Sequence, residues 1–145
     1  ARPLNALGLI AISGVLLVAF AEQIFNGELP CPLCLLQRVG FVIVGAGLAL
    51  NVLCGLRPAH YGVMLLGAFV GAAVALRQVA LHIVPGTGGY GDPILGLHYY
   101  TWAFVLFALV VLANGISTVL ECGGGLCPDN PTSYQLLDQF RSPAQ

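Results

Sequence analysis

The amino-acid sequence predicts an all-α fold, a four-helix transmembrane bundle, from its composition and from the length of its apolar stretches. Of its 145 residues, 58% are hydrophobic and only 8% are charged, which leaves too few polar side chains to cover a water-soluble domain. Four apolar stretches each have about the 20 residues that a helix needs to cross the hydrocarbon core of a bilayer. They do not alternate apolar with polar residues, which excludes the strands of a membrane β-barrel.

The first predicted helix spans residues 4–25. Its alternative is a signal peptide, with Arg2 in front of the apolar run and the small residues of Ala19-Phe20-Ala21 at the cleavage site. The run that begins at Leu4 is longer than the apolar core of a signal peptide, which has about 7 to 15 residues. Its removal would also leave three helices, with the two ends of the chain on opposite sides of the membrane. A retained helix is therefore expected.

The second predicted helix spans residues 33–54 and the third spans residues 60–84. Pro32 lacks the backbone N–H that would be unpaired in a first helical turn, so we expect Cys31 to cap the second helix. Gly67 and Gly71 form a GxxxG motif, which allows the third helix to approach a neighbour closely in lipid.

The fourth predicted helix spans residues 99–120, and a polar tail follows over residues 121–145. The sequence contains no repeat, no low-complexity tract and no linker. We therefore expect a single integral-membrane domain over residues 1–145.

The charged residues are few and unevenly distributed. A net charge of −1 with five scattered arginines provides no basic patch for nucleic acid, and that class of partner is excluded. Three arginines share one side of the predicted topology: Arg2, Arg57 and Arg141. The loops on the other side contain no basic residue but include Glu28 and Asp92. The positive-inside rule then predicts that both termini are cytoplasmic and that Cys31 and Cys34 face the outer, oxidising compartment.

Cys31-Pro32-Leu33-Cys34 has the spacing of a redox dithiol. Arg38 follows Cys31 by seven residues and Cys34 by four, so the three residues share one face of a helix. The positive helix end and the guanidinium both favour a thiolate over a thiol. An inert disulfide staple is the alternative, but closing so short a loop gains little chain entropy.

Arg38 and Arg77 are charges on predicted membrane helices, and such charges are functional candidates by default. Helical rise places Arg38 about 10 Å below the dithiol, where a planar donor suits the carbonyl of a lipid-dissolved quinone. The alternative is that each arginine reaches the membrane surface or pairs with Glu22. His82 and His98 flank the outer loop. Either could give a proton or a hydrogen bond to a reduced quinone, or be an ordinary histidine at the water interface.

The residues around the dithiol carry a family resemblance. The block CPLCLLQR over residues 31–38, which begins a long apolar helix, resembles the DsbB family of bacterial inner-membrane quinone reductases. The resemblance covers roughly residues 15–112. Further matching positions are Gln23, Leu29-Pro30, Arg77-Gln78, Leu95-Gly96-Leu97 and Trp102.

This resemblance implies a membrane oxidoreductase that transfers electrons from protein dithiols to ubiquinone or menaquinone. Such an enzyme re-oxidises DsbA, a periplasmic thiol oxidase of the thioredoxin fold, and so supports disulfide bond formation. It also implies that Cys31 is the thiol in exchange, that Cys34 faces the quinone and that Arg38 holds the quinone ring. The candidate quinone-binding residues are Gln37, Arg38, Arg77, His82 and His98, and no metal is expected.

The chain departs from the best-known members, which carry a second cysteine pair in the loop between the third and fourth helices. Here that loop, residues 85–98, has no cysteine. We infer that the partner attacks the Cys31–Cys34 disulfide directly, or that the donor is a different protein. Cys122 and Cys127 are expected on the opposite side of the bilayer, about 30 Å away, too far to share a zinc ion with Cys31. They form an incidental dithiol, a local disulfide or an adaptation that the sequence does not explain. Cys54 is expected to be a small packed hydrophobe.

Two other functional classes remain open at this point. Enzymes of the vitamin K epoxide reductase type are also four-helix, quinone-linked thiol enzymes, but their CxxC lies on the last helix of the core, whereas here it begins the second. A small membrane subunit or transporter component stapled by a structural disulfide would need the same cysteines for folding only.

Overall fold

The computed structural model of the chain describes residues 2–27, 31–84, 86 and 95–123. They form four helices: α1 (Arg2–Asn26), α2 (Pro32–Leu53), α3 (Pro58–Leu81) and α4 (Tyr99–Gly123). Each is long and apolar enough to cross a bilayer, and the described residues contain no β-strand. The predicted four-helix membrane bundle is confirmed.

The helix boundaries follow the prolines of the sequence. Pro32 and Pro58 stand in the first turns of α2 and α3, where the missing N–H breaks no helical bond. α3 ends at Leu81, three residues before the predicted end. His82 is its C-cap residue, and the backbone N–H of His82 donates a hydrogen bond of 3.1 Å to the carbonyl oxygen of Val79, three residues earlier. Because a residue that precedes a proline avoids helical geometry, Pro85 disfavours the predicted extension to residue 84.

α2 and α3 approach each other closely where both helices carry glycine. A Cβ atom added to Gly67 would lie 2.8 Å from Cγ2 of Ile43 and 3.1 Å from the carbonyl oxygen of Gly40. A Cβ atom added to Gly40 would lie 3.1 Å from the Cα atom of Gly71. The close approach predicted from the GxxxG motif is therefore confirmed, and α2 is its partner.

α4 packs on this crossing through an aromatic side chain. Phe107 is fully buried and stacks on Phe41 of α2, with ring centroids 4.1 Å apart and an interplanar angle of 15°. A Cβ atom on Gly71 would overlap the Phe107 ring. The glycines of α2 and α3 thus form the surface that receives this ring.

α1 packs on α2 and exposes much of its apolar surface. Leu7, Ile10 and Leu17 are 63%, 69% and 70% exposed. Exposure of such side chains is unfavourable in water and favourable against lipid, as expected for a membrane-spanning helix at the edge of the bundle. We therefore expect lipid to cover the apolar side chains of α1 that the other helices leave exposed.

By internal contacts the chain divides into two units, residues 1–114 and residues 115–145. The first contains α1, α2, α3 and α4 as far as Asn114, together with every side chain of the candidate site described next. The described part of the second unit is the C-terminal end of α4.

Candidate thiol redox site

The N-terminus of α2 positions the two cysteines. Cys31 is the N-cap residue, with an extended backbone (φ −64°, ψ 144°), and its Sγ atom accepts a hydrogen bond from the backbone N–H of Cys34 at 3.4 Å. The predicted capping role of Cys31 is confirmed. Both sulfurs therefore lie at the positive end of the helix dipole, which stabilises a negative charge there.

The two cysteines differ in burial. Cys31 is 7% exposed, whereas Cys34, one turn further along α2, is half-buried. Both are present as thiols. The pair is therefore partly buried at the end of the bundle and is not on an exposed loop.

A buried carboxamide of α3 contacts both sulfurs. Gln78 is fully buried, and its Nε2 atom lies 3.5 Å from Sγ of Cys31 and 3.4 Å from Sγ of Cys34. Its Oε1 atom accepts a hydrogen bond of 2.7 Å from Nε2 of Gln37, which is itself 6% exposed. The thiol of Cys34 also lies 3.8 Å from this oxygen. These four side chains form the dithiol cluster: Cys31, Cys34, Gln37 and Gln78.

Arg38 extends toward α1. It donates hydrogen bonds to Oε1 of Gln23 at 2.5 Å and to the carbonyl of Ala19 at 3.0 Å, and its guanidinium lies 4.7 Å from the centre of the Phe20 ring. The backbone of α2 places Arg38 and the cysteines on neighbouring positions, as predicted. Their side chains nevertheless diverge, because the guanidinium binds α1 while the thiols contact α3.

Arg77 and Gln78 are adjacent in sequence but occupy different faces of α3. Successive residues are about 100° apart on an α-helix. Arg77 is exposed, whereas Gln78 is fully buried against the dithiol. Quinone binding by Arg77 therefore stays a prediction, and Gln78 is the site residue that sequence reasoning missed. Its signal was present, because a neutral amide inside an apolar membrane helix also needs a partner.

His82 and His98 are brought together by an aromatic residue of α4. The rings of His82 and His98 stack on the ring of Tyr100, at centroid distances of 5.1 Å and 5.2 Å. Nδ1 of His82 lies 2.7 Å from the carbonyl oxygen of Gln78. Because a carbonyl oxygen can only accept, this nitrogen carries the proton in that bond. His82 is thus connected to the dithiol cluster through the backbone of Gln78.

The remaining cysteines lie away from this site or outside the described residues. Cys54 is the C-cap of α2 and is exposed, so the prediction that it is packed is wrong. It follows the last helical residue, and the α2–α3 turn leaves it uncovered. The side chain of Cys122, all of Cys127 and most of loop 85–98 lie outside the described residues. In the part of the chain that is described, no three His, Cys, Asp or Glu side chains group as metal ligands.

Comparison with known proteins identifies the family. The family model described as "Disulfide bond formation protein DsbB" matches residues 1–89. A disulfide bond formation protein B from Xanthomonas axonopodis pv. citri is 33% identical over 124 residues, which cover 81% of this chain and 69% of that protein. The protein of the same name from Chromobacterium violaceum is 43% identical over 79 residues, 52% of this chain and 48% of that protein.

A third relative, from Xylella fastidiosa, is 30% identical over 111 residues, 72% of this chain and 64% of that protein, and has the same name. No solved structure matches the chain significantly. Four apolar helices, a CxxC pair that begins the second of them, and these matches agree with one another. The chain belongs to the DsbB family of disulfide bond formation proteins.

Proposed function

We propose that this protein is a membrane oxidoreductase that takes electrons from a protein dithiol and transfers them to a quinone. Its donor would be a periplasmic thiol oxidase of the thioredoxin fold, similar to DsbA, and its acceptor ubiquinone or menaquinone of the membrane pool. The observation that carries this proposal is the CxxC pair at the N-terminus of α2, which contacts a buried amide of α3 through both sulfurs. An inert staple would not need a hydrogen-bond donor at its sulfurs.

The first half of the cycle is a thiol–disulfide exchange. A thiolate of the partner attacks the Cys31–Cys34 disulfide, a mixed disulfide forms at Cys31, and the second partner thiol displaces Cys31. The partner gains a disulfide and releases two protons. The Cys31–Cys34 pair gains two electrons and one of these protons, which leaves one of its sulfurs as a thiolate. The backbone N–H of Cys34 and the α2 dipole stabilise the charge on Cys31. Because Cys31 is only 7% exposed, attack there requires a local opening at the start of α2.

The second half returns the pair to the disulfide. A quinone has two carbonyl oxygens that accept hydrogen bonds, so a site for it must present donors next to an apolar surface. Arg38 provides five N–H groups, of which those bound to Gln23 and Ala19 are only a part, and it lies against the Phe20 ring. This donor set fits a quinone head group, and Arg38 would hold it. When bound, the quinone supplies a lipid-soluble acceptor of two electrons and two protons.

An external acceptor is needed for energetic reasons. A DsbA-type oxidant has a reduction potential of about −120 mV, and each 30 mV by which a dithiol pair falls short costs about 1.4 kcal/mol. An isolated CxxC pair could not keep such a partner oxidised. Coupling to the quinone pool removes the electrons, while the protein orients the reacting groups.

The proposed orientation follows the arginines. Arg2 at the start of α1 and Arg57 at the start of α3 are at one end of the bundle, and the CxxC pair is at the other. The positive-inside rule assigns the arginine end to the cytoplasm and the cysteines to the periplasm. A membrane-impermeant thiol reagent applied to intact spheroplasts should therefore label reduced Cys31 and Cys34. Labelling of these cysteines only after lysis would reverse the orientation.

The direct test uses the purified full chain. Given a reduced thioredoxin-fold dithiol protein and a short-chain quinone analogue, it should form one partner disulfide for each quinol, followed through thiol titration and the ultraviolet absorbance of the quinone. A folded protein with an oxidised Cys31–Cys34 pair that produces no quinol with either quinone class would overturn the proposal. That result would favour a structural disulfide.

A further inference from the structure

The two carboxamides of the dithiol cluster have a role beyond packing. We propose that Gln37 fixes the orientation of Gln78, so that the Gln78 amide group donates to the sulfurs and raises the reduction potential of the Cys31–Cys34 pair. Gln78 would act on the sulfurs directly, and Gln37 would be a positioning residue that acts through Gln78. This inference rests on the proposed redox function of the same cysteines.

The orientation of a glutamine amide decides whether it stabilises or destabilises a thiolate. Its NH2 group donates and its oxygen accepts, and rotation by half a turn exchanges the two. In this site Nε2 of Gln37 donates to Oε1 of Gln78 at 2.7 Å, whereas the Cys34 thiol, a weak donor, lies 3.8 Å from that oxygen. The Gln37 bond is therefore the stronger one that fixes the oxygen end of the amide. The NH2 group of Gln78 is then the end that faces Cys31 and Cys34, at 3.5 Å and 3.4 Å.

Gln37, Gln78 and the sulfurs form a chain of hydrogen bonds that all run in one direction. The N–H of Gln37 binds the oxygen of Gln78, and the N–H of Gln78 binds sulfur. Bonds arranged in this way polarise one another, and the effect is strongest where the final acceptor carries a charge. Gln78 is fully buried and Gln37 is 6% exposed, so water does not compete for the bond between the two amides.

The contact distinguishes the two redox states of the pair. A thiolate sulfur carries a negative charge and accepts strongly, whereas a disulfide sulfur is neutral and accepts weakly. The Gln78 amide therefore stabilises the reduced state and makes the disulfide a stronger oxidant. Because its distances to the two sulfurs are nearly equal, it can serve whichever cysteine carries the charge during exchange.

The test measures the redox equilibrium of the pair without quinone. The full chain, with Cys54, Cys122 and Cys127 changed to serine so that only one pair is counted, is equilibrated with reduced and oxidised glutathione, and the reduced fraction is trapped by alkylation. Gln78→Leu should lower the equilibrium constant for reduction about tenfold, the effect of one charge-assisted hydrogen bond. That change corresponds to a potential about 30 mV more negative.

Variants of Gln37 separate positioning from contact, because Gln37 is assigned no bond to either sulfur. In Gln37→Glu a carboxylate replaces the donor, so the Gln78 amide should turn its NH2 group toward residue 37 and its oxygen toward the sulfurs. The equilibrium constant should then fall at least as far as in Gln78→Leu, although Gln78 is intact. Gln37→Met keeps the size of the side chain but binds neither end of the Gln78 amide, which is then free to take both orientations. The equilibrium constant for reduction should decrease about threefold, a value between those expected for the parent and for Gln37→Glu.

The outcomes are distinct. Equal potentials in Gln37→Glu, Gln37→Met and the parent would refute the positioning role, and an unchanged potential in Gln78→Leu would refute the contact. If Gln78→Leu does not fold, the two Gln37 variants still decide the matter. Failure of the proposed quinone reaction would appear separately, as a parent protein whose potential is normal but whose electrons do not reach quinone.

Discussion

Among the described residues, two buried polar clusters lie at opposite ends of α2 and α3, and they differ in what their atoms can do. The dithiol cluster lies where α2 begins and α3 ends. The asparagine cluster, formed by Asn5, Asn51 and His60, lies where α2 ends and α3 begins. Nδ2 of the fully buried Asn51 donates to Oδ1 of Asn5 at 3.1 Å, and Oδ1 of Asn51 lies 3.0 Å from Nδ1 of His60.

Both clusters satisfy polar atoms inside an apolar bundle, but only one contains atoms that exchange covalent bonds. Asn5, Asn51 and His60 join α1, α2 and α3 with amide and imidazole groups whose bonding is complete without a reaction. The sulfurs of Cys31 and Cys34 can be thiols, thiolates or a disulfide, and the hydrogen bonds from Gln78 change in strength with that state. A buried polar residue in a membrane helix is thus a candidate for function, and the chemistry of its partners decides between structure and reaction.

The largest effect expected from this comparison is the loss of either thiol of the dithiol cluster. Cys31→Ser and Cys34→Ser should each abolish quinone reduction by a protein dithiol, because a disulfide needs two sulfurs. When mixed with the oxidised, disulfide form of the partner, Cys34→Ser should also trap it, because the Cys31 thiolate attacks the partner disulfide and no second thiol releases the mixed disulfide. A non-reducing gel detects this product. Cys54→Ser, at the exposed end of α2, is the matched control and should retain full activity. Trapping at Cys34 instead, in the Cys31→Ser protein, would reverse the roles proposed for the two cysteines.

Arg38 should affect quinone use and leave the dithiol equilibrium unchanged, since its side chain binds α1 while the thiols contact α3. We expect Arg38→Ala to raise the quinone concentration for half-maximal rate about tenfold, the loss of one charge-assisted hydrogen bond. Arg38→Lys should recover part of this, because it restores the charge without the planar fork. The potential in glutathione buffers should equal that of the parent. Unchanged quinone kinetics in Arg38→Ala would remove Arg38 from the mechanism.

Much of this architecture was predictable because crossing a bilayer requires only length and apolarity. The helix starts also follow from elementary rules, since Pro32 and Pro58 fit first turns. The end of α3 was predicted too late, because the apolar residues that follow Leu81 continue the hydrophobic pattern although Pro85 opposes the helix.

The site was only partly predictable, and the reason is geometric. The cysteine spacing and Arg38 are visible in the sequence, as charges and thiols in an apolar chain. Gln78 was noted only as a position that matches the family, and its place in the site was missed, because contacts between helices depend on the rotation of α3, which the sequence pattern does not specify. Because the rotation of α3 was unknown, Arg77 was predicted as a site residue, although its side chain is exposed and the neighbouring Gln78 is the one that faces the dithiol.

The asparagine cluster should respond to mutation in stability alone. Asn51→Leu removes three contacts between helices, to Asn5, Met64 and His60. Since such bonds in membranes contribute about 0.6 kcal/mol each, we expect a loss of roughly 1–2 kcal/mol in the free energy of unfolding. An SDS titration followed by circular dichroism measures it. Leu53→Ala is the control on the same helix, because Leu53 is 79% exposed. The redox potential should not change in either variant. A changed potential in Asn51→Leu would mean that the two clusters are coupled through the bundle.

The smallest expected effect concerns Gln23, which contacts the site only through the guanidinium of Arg38. Gln23→Leu removes one acceptor of Arg38 but leaves the carbonyl of Ala19 and the ring of Phe20 in place. The guanidinium should therefore remain near α1 with more freedom, and the quinone concentration for half-maximal rate should rise about threefold, less than the loss of a full hydrogen bond. Ile24→Leu, at an exposed position of α1, controls for changes in lipid contact. An effect of Gln23→Leu as large as that of Arg38→Ala would show that Gln23 itself contacts the quinone, whereas no effect would show that the Ala19 carbonyl alone orients the guanidinium.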